Sequence, residues 1–220
     1  RAGNGVILIT TKRGSQRKTV MQYKNSFSFQ GVANYPGFVN SGQYAELYRE
    51  AELNDGISAD ELTYSEEDVA NFYAGAPGYP NGDWWGATIR DWSPQQQHSL
   101  SVRGGAKGIR FYGFLGYTGQ EGMYTSGDNS MNRYNLRSNI DMDITDNLSM
   151  SIDVSGKIQD LSSPVDDVNA VFTHVFNALP FYPTSLPDAT KVPHSGKGPQ
   201  NPVAVTNRDI AGYNDVNSNK

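Results

Sequence analysis

The chain has 220 residues and a mass of 24.1 kDa, enough for one large domain or two small ones with a sizeable core. Only 37% of residues are hydrophobic and 19% charged, with Gly (23), aromatics (11%) and many Ser, Asn and Gln filling the difference. Mean hydropathy of −0.58 excludes a helical membrane protein, the aromatic content excludes disorder, a net charge of −5 speaks against nucleic acid, and the absence of cysteine excludes disulfides and thiolate zinc sites.

A Gly- and aromatic-rich β protein survives these exclusions. The chain opens Arg1-Ala2-Gly3-Asn4-Gly5 without Met or a signal-peptide core, and it closes on a polar stretch without a structural stop. Both ends read as cut, so a piece of a longer protein is expected.

Val6 to Lys12 is a short β-branched run closed by Arg13-Gly14 and predicts a strand buried on both faces. The later strands alternate instead. Met21, Tyr23, Phe27 and Phe29 alternate with Gln22, Lys24, Ser26 and Ser28; His98, Leu100 and Val102 alternate with Ser99, Ser101 and Arg103. Ile109, Phe111, Leu115 and Tyr117 share a face over Ile109 to Gly119, opposite a mixed one. Tyr134, Leu136, Ile140, Met142 and Ile144 alternate with Asn135, Arg137, Asn139, Asp141 and Asp143. Leu148, Met150, Ile152, Val154 and Ile158 alternate with Ser149, Ser151, Asp153 and Lys157. Five segments of dyad period predict an antiparallel sheet, with strands near the roughly 9–11 residues of a tilted transmembrane strand.

The connections between these strands run long, short, medium, short, long. Gly104 to Gly108 and Thr145-Asp146-Asn147 are the short ones. Successive antiparallel strands put successive connections at opposite ends, so the short turns share one end and the long loops the other. Bacterial outer-membrane barrels have this asymmetry. Within the loops, helices are expected over Gln43–Leu53 with Ser41 as cap, from Ser65 through Tyr73, and over Asp166–Leu179 ahead of Pro180.

Catalytic patterns are scarce. His98, His174 and His194 are scattered and match no metal-ligand spacing. Gly104 to Gly108 precedes no helix, so a hairpin turn is preferred to a phosphate cradle. Asp141 and Asp153 could pair as carboxylates for glycoside hydrolysis, but a hydrated face carrying both charge signs is the plainer account. Tyr79, Asp83, Trp84, Trp85 and Trp92 offer stacking surfaces for sugars or a partner protein, against the alternative of a small core within the loop.

Ala2 to Gly14 closely resembles the segment that ends the plug domain of SusC/RagA-type TonB-dependent outer-membrane transporters. Similar stretches follow in order: Gln43 to Ala51, Asp83-Trp84, Gln97 to Gly105, Phe111 to Tyr117 with Gln120-Glu121-Gly122, Arg133 to Asn139, and Asn201 to Ala204. The resemblance implies an all-β fold with short loop helices, part of a 22-stranded antiparallel transmembrane β-barrel closed by an N-terminal plug. Residues 1–14 would be the last plug strand. Residues 15–160 would supply a linker and the first five barrel strands, with a large extracellular loop over 32–95. Residues 161–220 would be a long extracellular loop running toward the next strand.

The resemblance further implies a location in the bacterial outer membrane and import of oligosaccharides or peptides. The implied partners are a SusD-like surface lipoprotein, the TonB-ExbB-ExbD complex and membrane lipid, with no cofactor, metal or catalysis. Lys24, Arg103, Arg137, Asp141 and Asp153 would face the lumen and plug. The alternative is a surface or secreted β-rich carbohydrate-binding module with Trp84, Trp85 and Trp92 as its platform.

Overall fold

The computed structural model describes residues 12–188, 191–192 and 200–220. The expected first strand, Val6 to Lys12, lies outside them but for its last residue, as does His194. The described chain forms one six-stranded antiparallel sheet in sequence order, so every strand pairs with its neighbours in the chain. The strands are β1 (Val20–Gly31), β2 (Trp92–Ala106), β3 (Ile109–Glu121), β4 (Ser130–Thr145), β5 (Leu148–Pro164) and β6 (Tyr213–Asn219).

Register decides the faces, because residues directly opposite each other point the same way and a one-residue slip would invert every strand. Met21 opposes Val102, Val102 opposes Gly113, Tyr23 opposes Leu100, and Leu100, Leu115 and Leu136 lie in one row. Phe111, Ile140 and Ile152 form a second apolar row, and Ile109, Met142 and Met150 a third. Among the described residues no element packs over these rows: Met21 and Phe29 are each 70% exposed and Leu115 52%. On the other face Arg103, Tyr112, Asn139 and Asp153 share a row, as do Ser99, Asn135 and Lys157 with Lys24.

The short turns close as two-residue connections, Lys107-Gly108 and Asp146-Asn147. Gly108 takes φ of 81°, a left-handed conformation that a side chain would strain. A register shift between Asp143 and Thr145 marks a bulge at the end of β4.

The three longer connections hold the helices: α1 (Ser41–Asn54), α2 (Glu66–Ala74), α3 (Trp84–Thr88), α4 (Val168–Asn177), α5 (Pro202–Val205) and α6 (Arg208–Ala211). The N-cap of α1 is Asn40, one residue before the expected Ser41, and it forms a full capping box with Gln43. Ser65 caps α2 as expected, with Asp68 completing the box. Ser41 is instead buried, its hydroxyl oxygen 2.8 Å from the carbonyl oxygens of both Pro80 and Pro180, which share its one proton.

Two boundaries differ from the sequence reading. β2 begins at Trp92, so the first loop ends before 92 rather than at 95; Pro94, which lacks an N–H, lies ahead of the first β2–β3 pair at Gln95. β5 extends to Pro164, and β6 pairs with its second half from Ile158↔Asn219 to Pro164↔Tyr213, within a stretch read as loop to residue 220.

Apart from Tyr112 on β3, the buried apolar residues sit in the loops and not against the sheet. Ile89, Tyr124, Val171 and Val205 pack together, with Trp85, Met123 and Phe172 against them. They come from the β1–β2, β3–β4 and β5–β6 connections, so all three long loops meet at one end of the sheet. Backbone bonds stitch them: Thr125 donates to Thr88, Arg90 to Met123 and Gly82 to Pro180, each at 2.8 Å.

Candidate functional site

Three surfaces carry the chemistry: the polar wall of the sheet, its apolar face and the dome of loops. All five residues assigned to the lumen (Lys24, Arg103, Arg137, Asp141 and Asp153) lie on the polar wall by register. The segment ahead of β1 runs along this wall near the short-turn end. Arg13 Nη1 reaches Asp141 at 2.6 Å and Nη2 reaches Asp153 at 2.8 Å, one guanidinium forked across β4 and β5. Asn139, 2% exposed, donates to the Lys12 carbonyl at 2.7 Å. The Gly105 amide donates to the Arg17 carbonyl at 3.1 Å.

Gly14 explains how the chain comes so close. A Cβ there would stand 2.3 Å from the backbone nitrogen of Phe111, so only glycine lets the two backbones touch. The guanidinium also fills the space between Asp141 and Asp153 that a scissile bond would need, which removes the geometry of a carboxylate pair for hydrolysis. Among the described residues no group of His, Asp and Glu could hold a metal ion. His174 bonds Asp166 at 3.2 Å within the loops, and His98 lies among rings on the apolar face.

Those rings form a row at the loop end of the apolar face. Tyr23, His98, Tyr117 and Tyr134 follow one another across four strands, with centroids 6.1, 6.2 and 5.1 Å apart. Phe27, Phe29 and Trp92 continue the aromatic zone toward the loops, Trp92 being 65% exposed and opposite Gly31. An amphipathic ring suits a boundary where apolar and wet surroundings meet. The stretch from Tyr134 to Ile144 is about 33 Å long at about 3.3 Å per residue, and a tilt of about 40° gives it a height of about 25 Å. That is the height of a barrel's apolar band.

The other aromatic candidates build the dome. Trp84 is 4% exposed and donates its indole N–H to the Leu179 carbonyl at 2.9 Å. Trp85 stacks on Tyr35 at 4.8 Å and meets Phe38, Phe172 and Phe176. Asp83 caps α3, accepting from the Gly86 amide at 2.8 Å. Tyr79 packs edge-on against Phe72 and donates its hydroxyl to Asp68 at 2.8 Å, a bond that holds the phenol above its ordinary pKa. Ser65, through its side-chain hydrogen bond, holds the Asp68 carboxyl below the usual carboxylate range.

A cavity of about 350 Å³ opens between Phe38, Tyr44, Asn81, Trp85 and Phe176. Its polar rim is occupied by local structure: Asn40 caps α1, Asp83 caps α3 and Asn81 accepts from Ser41. The three tryptophans share no common platform, since Trp84 is inside, Trp85 is within the ring cluster and Trp92 is on the apolar face.

Sequence reasoning put the five residues on one face of the sheet but missed Arg13, the partner of Asp141 and Asp153. The run Lys12-Arg13-Gly14 was visible as a strand end, and nothing local in it points to carboxylates more than 120 residues away. It also grouped Trp92 with Trp84 and Trp85, although its period-2 relation to Pro94 and Gln96 links it to the apolar face once the start of β2 is known.

No family model matches the chain. It is 28% identical over 156 residues to the TonB-dependent receptor P3 of Formosa agariphila, a match covering 71% of the chain and 13% of that protein. To the TonB-dependent receptor P26 of the same species it is 29% identical over 156 residues, covering 67% of the chain and 14% of that protein. The chain thus spans only 13–14% of the length of these curated relatives. Among solved structures, the RagAB peptide transporter matches with a TM-score of 0.56 and 22% identity, over 73% of the chain and 20% of that one. The RagAB peptide importer in its closed-closed state matches with a TM-score of 0.55, at the same identity and coverage. In its sequence relatives and in its fold, the chain resembles the SusC/RagA-type TonB-dependent transporters.

Proposed function

We propose that the chain is the junction of plug and barrel in an outer-membrane transporter, with its apolar face toward lipid and its polar wall toward the lumen. The observation that carries this reading is a sheet whose apolar face is left uncovered over the height of a membrane while its loops form their own core. In water such a face, with two open strand edges, is an aggregation hazard. In a barrel the backbone groups pair between strands and the face meets hydrocarbon.

On this reading residues 1–14 end an N-terminal plug, 15–18 link it to the wall, and the strands belong to a barrel of 22. The loop dome stands outside the cell beneath a SusD-like lipoprotein, and the TonB-ExbB-ExbD complex supplies the energy for import. The cargo is an oligosaccharide or a peptide, the latter favoured by the peptide transported by the RagAB neighbour. The molecule moves its cargo and transforms nothing. The carbohydrate-binding module is the weaker reading, because its tryptophans do not share a surface.

The test is topological. In the complete protein, expressed in a Gram-negative host, an epitope after Gly56 is expected to bind antibody on intact cells. An epitope between Asp146 and Asn147 is expected to bind only after the outer membrane is opened. The reverse pattern, or absence of the protein from the outer-membrane fraction, overturns the proposal.

A further inference from the structure

We infer that Arg13 is a positioning residue that clamps the junction between plug and barrel to the wall. The inference rests on the transporter reading above.

Four independent features converge on the same short segment. The guanidinium of Arg13 forks across two strands, so it ties β4 to β5 as well as the segment to the wall. Asp141 is 13% exposed, which leaves that pair less screened than a surface one. Asn139 is 2% exposed and spends a donor on the Lys12 carbonyl, fixing the backbone immediately before the arginine. Gly14, immediately after it, lies against the Phe111 backbone, where any side chain would lift the segment away. Beyond that, the Gly105 amide holds the Arg17 carbonyl and the chain turns into β1.

A loose linker would need none of this, since a flexible tether of a few residues spans the distance to β1 without contacts. The fork also explains the choice of side chain. A lysine is a point charge and cannot address two separate carboxylates in a fixed geometry, whereas the planar guanidinium can.

The complete transporter, purified in detergent, tests this by limited trypsin digestion. Cleavage after Arg17 and Lys18 is the readout, because every variant retains those sites. Wild type is expected to resist. Arg13→Ala is expected to be cut roughly threefold to tenfold faster, the local opening that two partly exposed ion pairs hold down. Arg13→Lys should fall between the two. Asp141→Asn with Asp153→Asn should match Arg13→Ala, and adding Arg13→Ala to that pair should change nothing further.

A role confined to folding would lower yield without speeding cleavage of the assembled protein. Should Arg13→Ala fail to assemble, the double asparagine variant carries the test with Arg13 in place. Equal resistance in assembled wild type and in either variant overturns the clamp while leaving the transporter reading intact. A wild-type protein that is no membrane barrel overturns that reading instead.

Discussion

Placing an arginine at Ile152 is the sharpest perturbation of the sheet. Ile152 opposes Ile140, which opposes Phe111, so its cross-strand row is apolar, and it is 42% exposed. It lies six residues from Ile158, which opposes the ring of Tyr134 at the aromatic boundary. Six residues are about 20 Å along the strand, or about 15 Å of depth at a tilt of about 40°, close to the middle of a band about 25 Å tall. A guanidinium there costs about 2–4 kcal/mol, equivalent to a shift of about 30- to 700-fold in the folding equilibrium.

The control is one residue away at the same depth. Ser151 is on the polar wall and donates to Asp141 at 2.7 Å, so an arginine there meets carboxylates and should cost less than about 1 kcal/mol. Denaturant unfolding of the complete protein in lipid vesicles, read by heat-modifiable gel mobility, measures both. If Ser151→Arg destabilised the protein and Ile152→Arg did not, the assignment of the faces would be inverted and the reasoning refuted.

Two further outcomes follow from the dome. Trp84→Ala should cost about 3–5 kcal/mol of local stability, by opening a void and orphaning the Leu179 carbonyl, and should expose the first loop to protease on intact cells while the barrel stays assembled. The Ser65–Asp68 capping box should weaken in acid: the folded pKa of Asp68 is lowered, so its contribution to α2 is complete above the unfolded value of about 3.9 and is lost as pH falls through the folded one. Hydrogen exchange of residues 66–74 at neutral and at acid pH, corrected for the intrinsic pH dependence of amide exchange, reads this. Ser65→Ala should shrink the difference without abolishing it, because the amide at position 65 and the Tyr79 hydroxyl still donate to Asp68.

Much of the sheet was legible because one face of each strand is apolar and the other polar, a contrast that survives in the sequence as a period of two. β1, β4, β5 and the part of β2 from His98 to Arg103 announce themselves this way, and β3 does so on its apolar face only. β6 does not: Tyr213 and Val216 are its only large apolar residues and they fall on opposite faces, so its pairing is set by its neighbour β5 and not by its own pattern. The start of β2 was hidden by Pro94, a residue that ordinarily ends a strand but is tolerated before the second partner joins.

The helices α1, α2 and α4 were legible from their spacing, and α2 from its cap as well, but the core they join was not. Ile89, Tyr124, Val171 and Val205 come from three separate loops, and no local pattern specifies which loops meet. The same holds for the clamp. Asp141 and Asp153 could be placed on the wall from alternation alone, yet their partner enters from the other end of the chain, and glycine at position 14 acquires its meaning only beside Phe111.

The central claim is that one face of the sheet meets lipid and the other does not. Single spin labels at successive positions from Met150 to Ser155 of the complete protein in vesicles test it most directly, through accessibility to oxygen and to a polar nickel chelate. Alternation with a period of two is expected, with Met150, Ile152 and Val154 open to oxygen and Ser151, Asp153 and Ser155 shielded from it. Uniform access of the nickel chelate to both sets would contradict it.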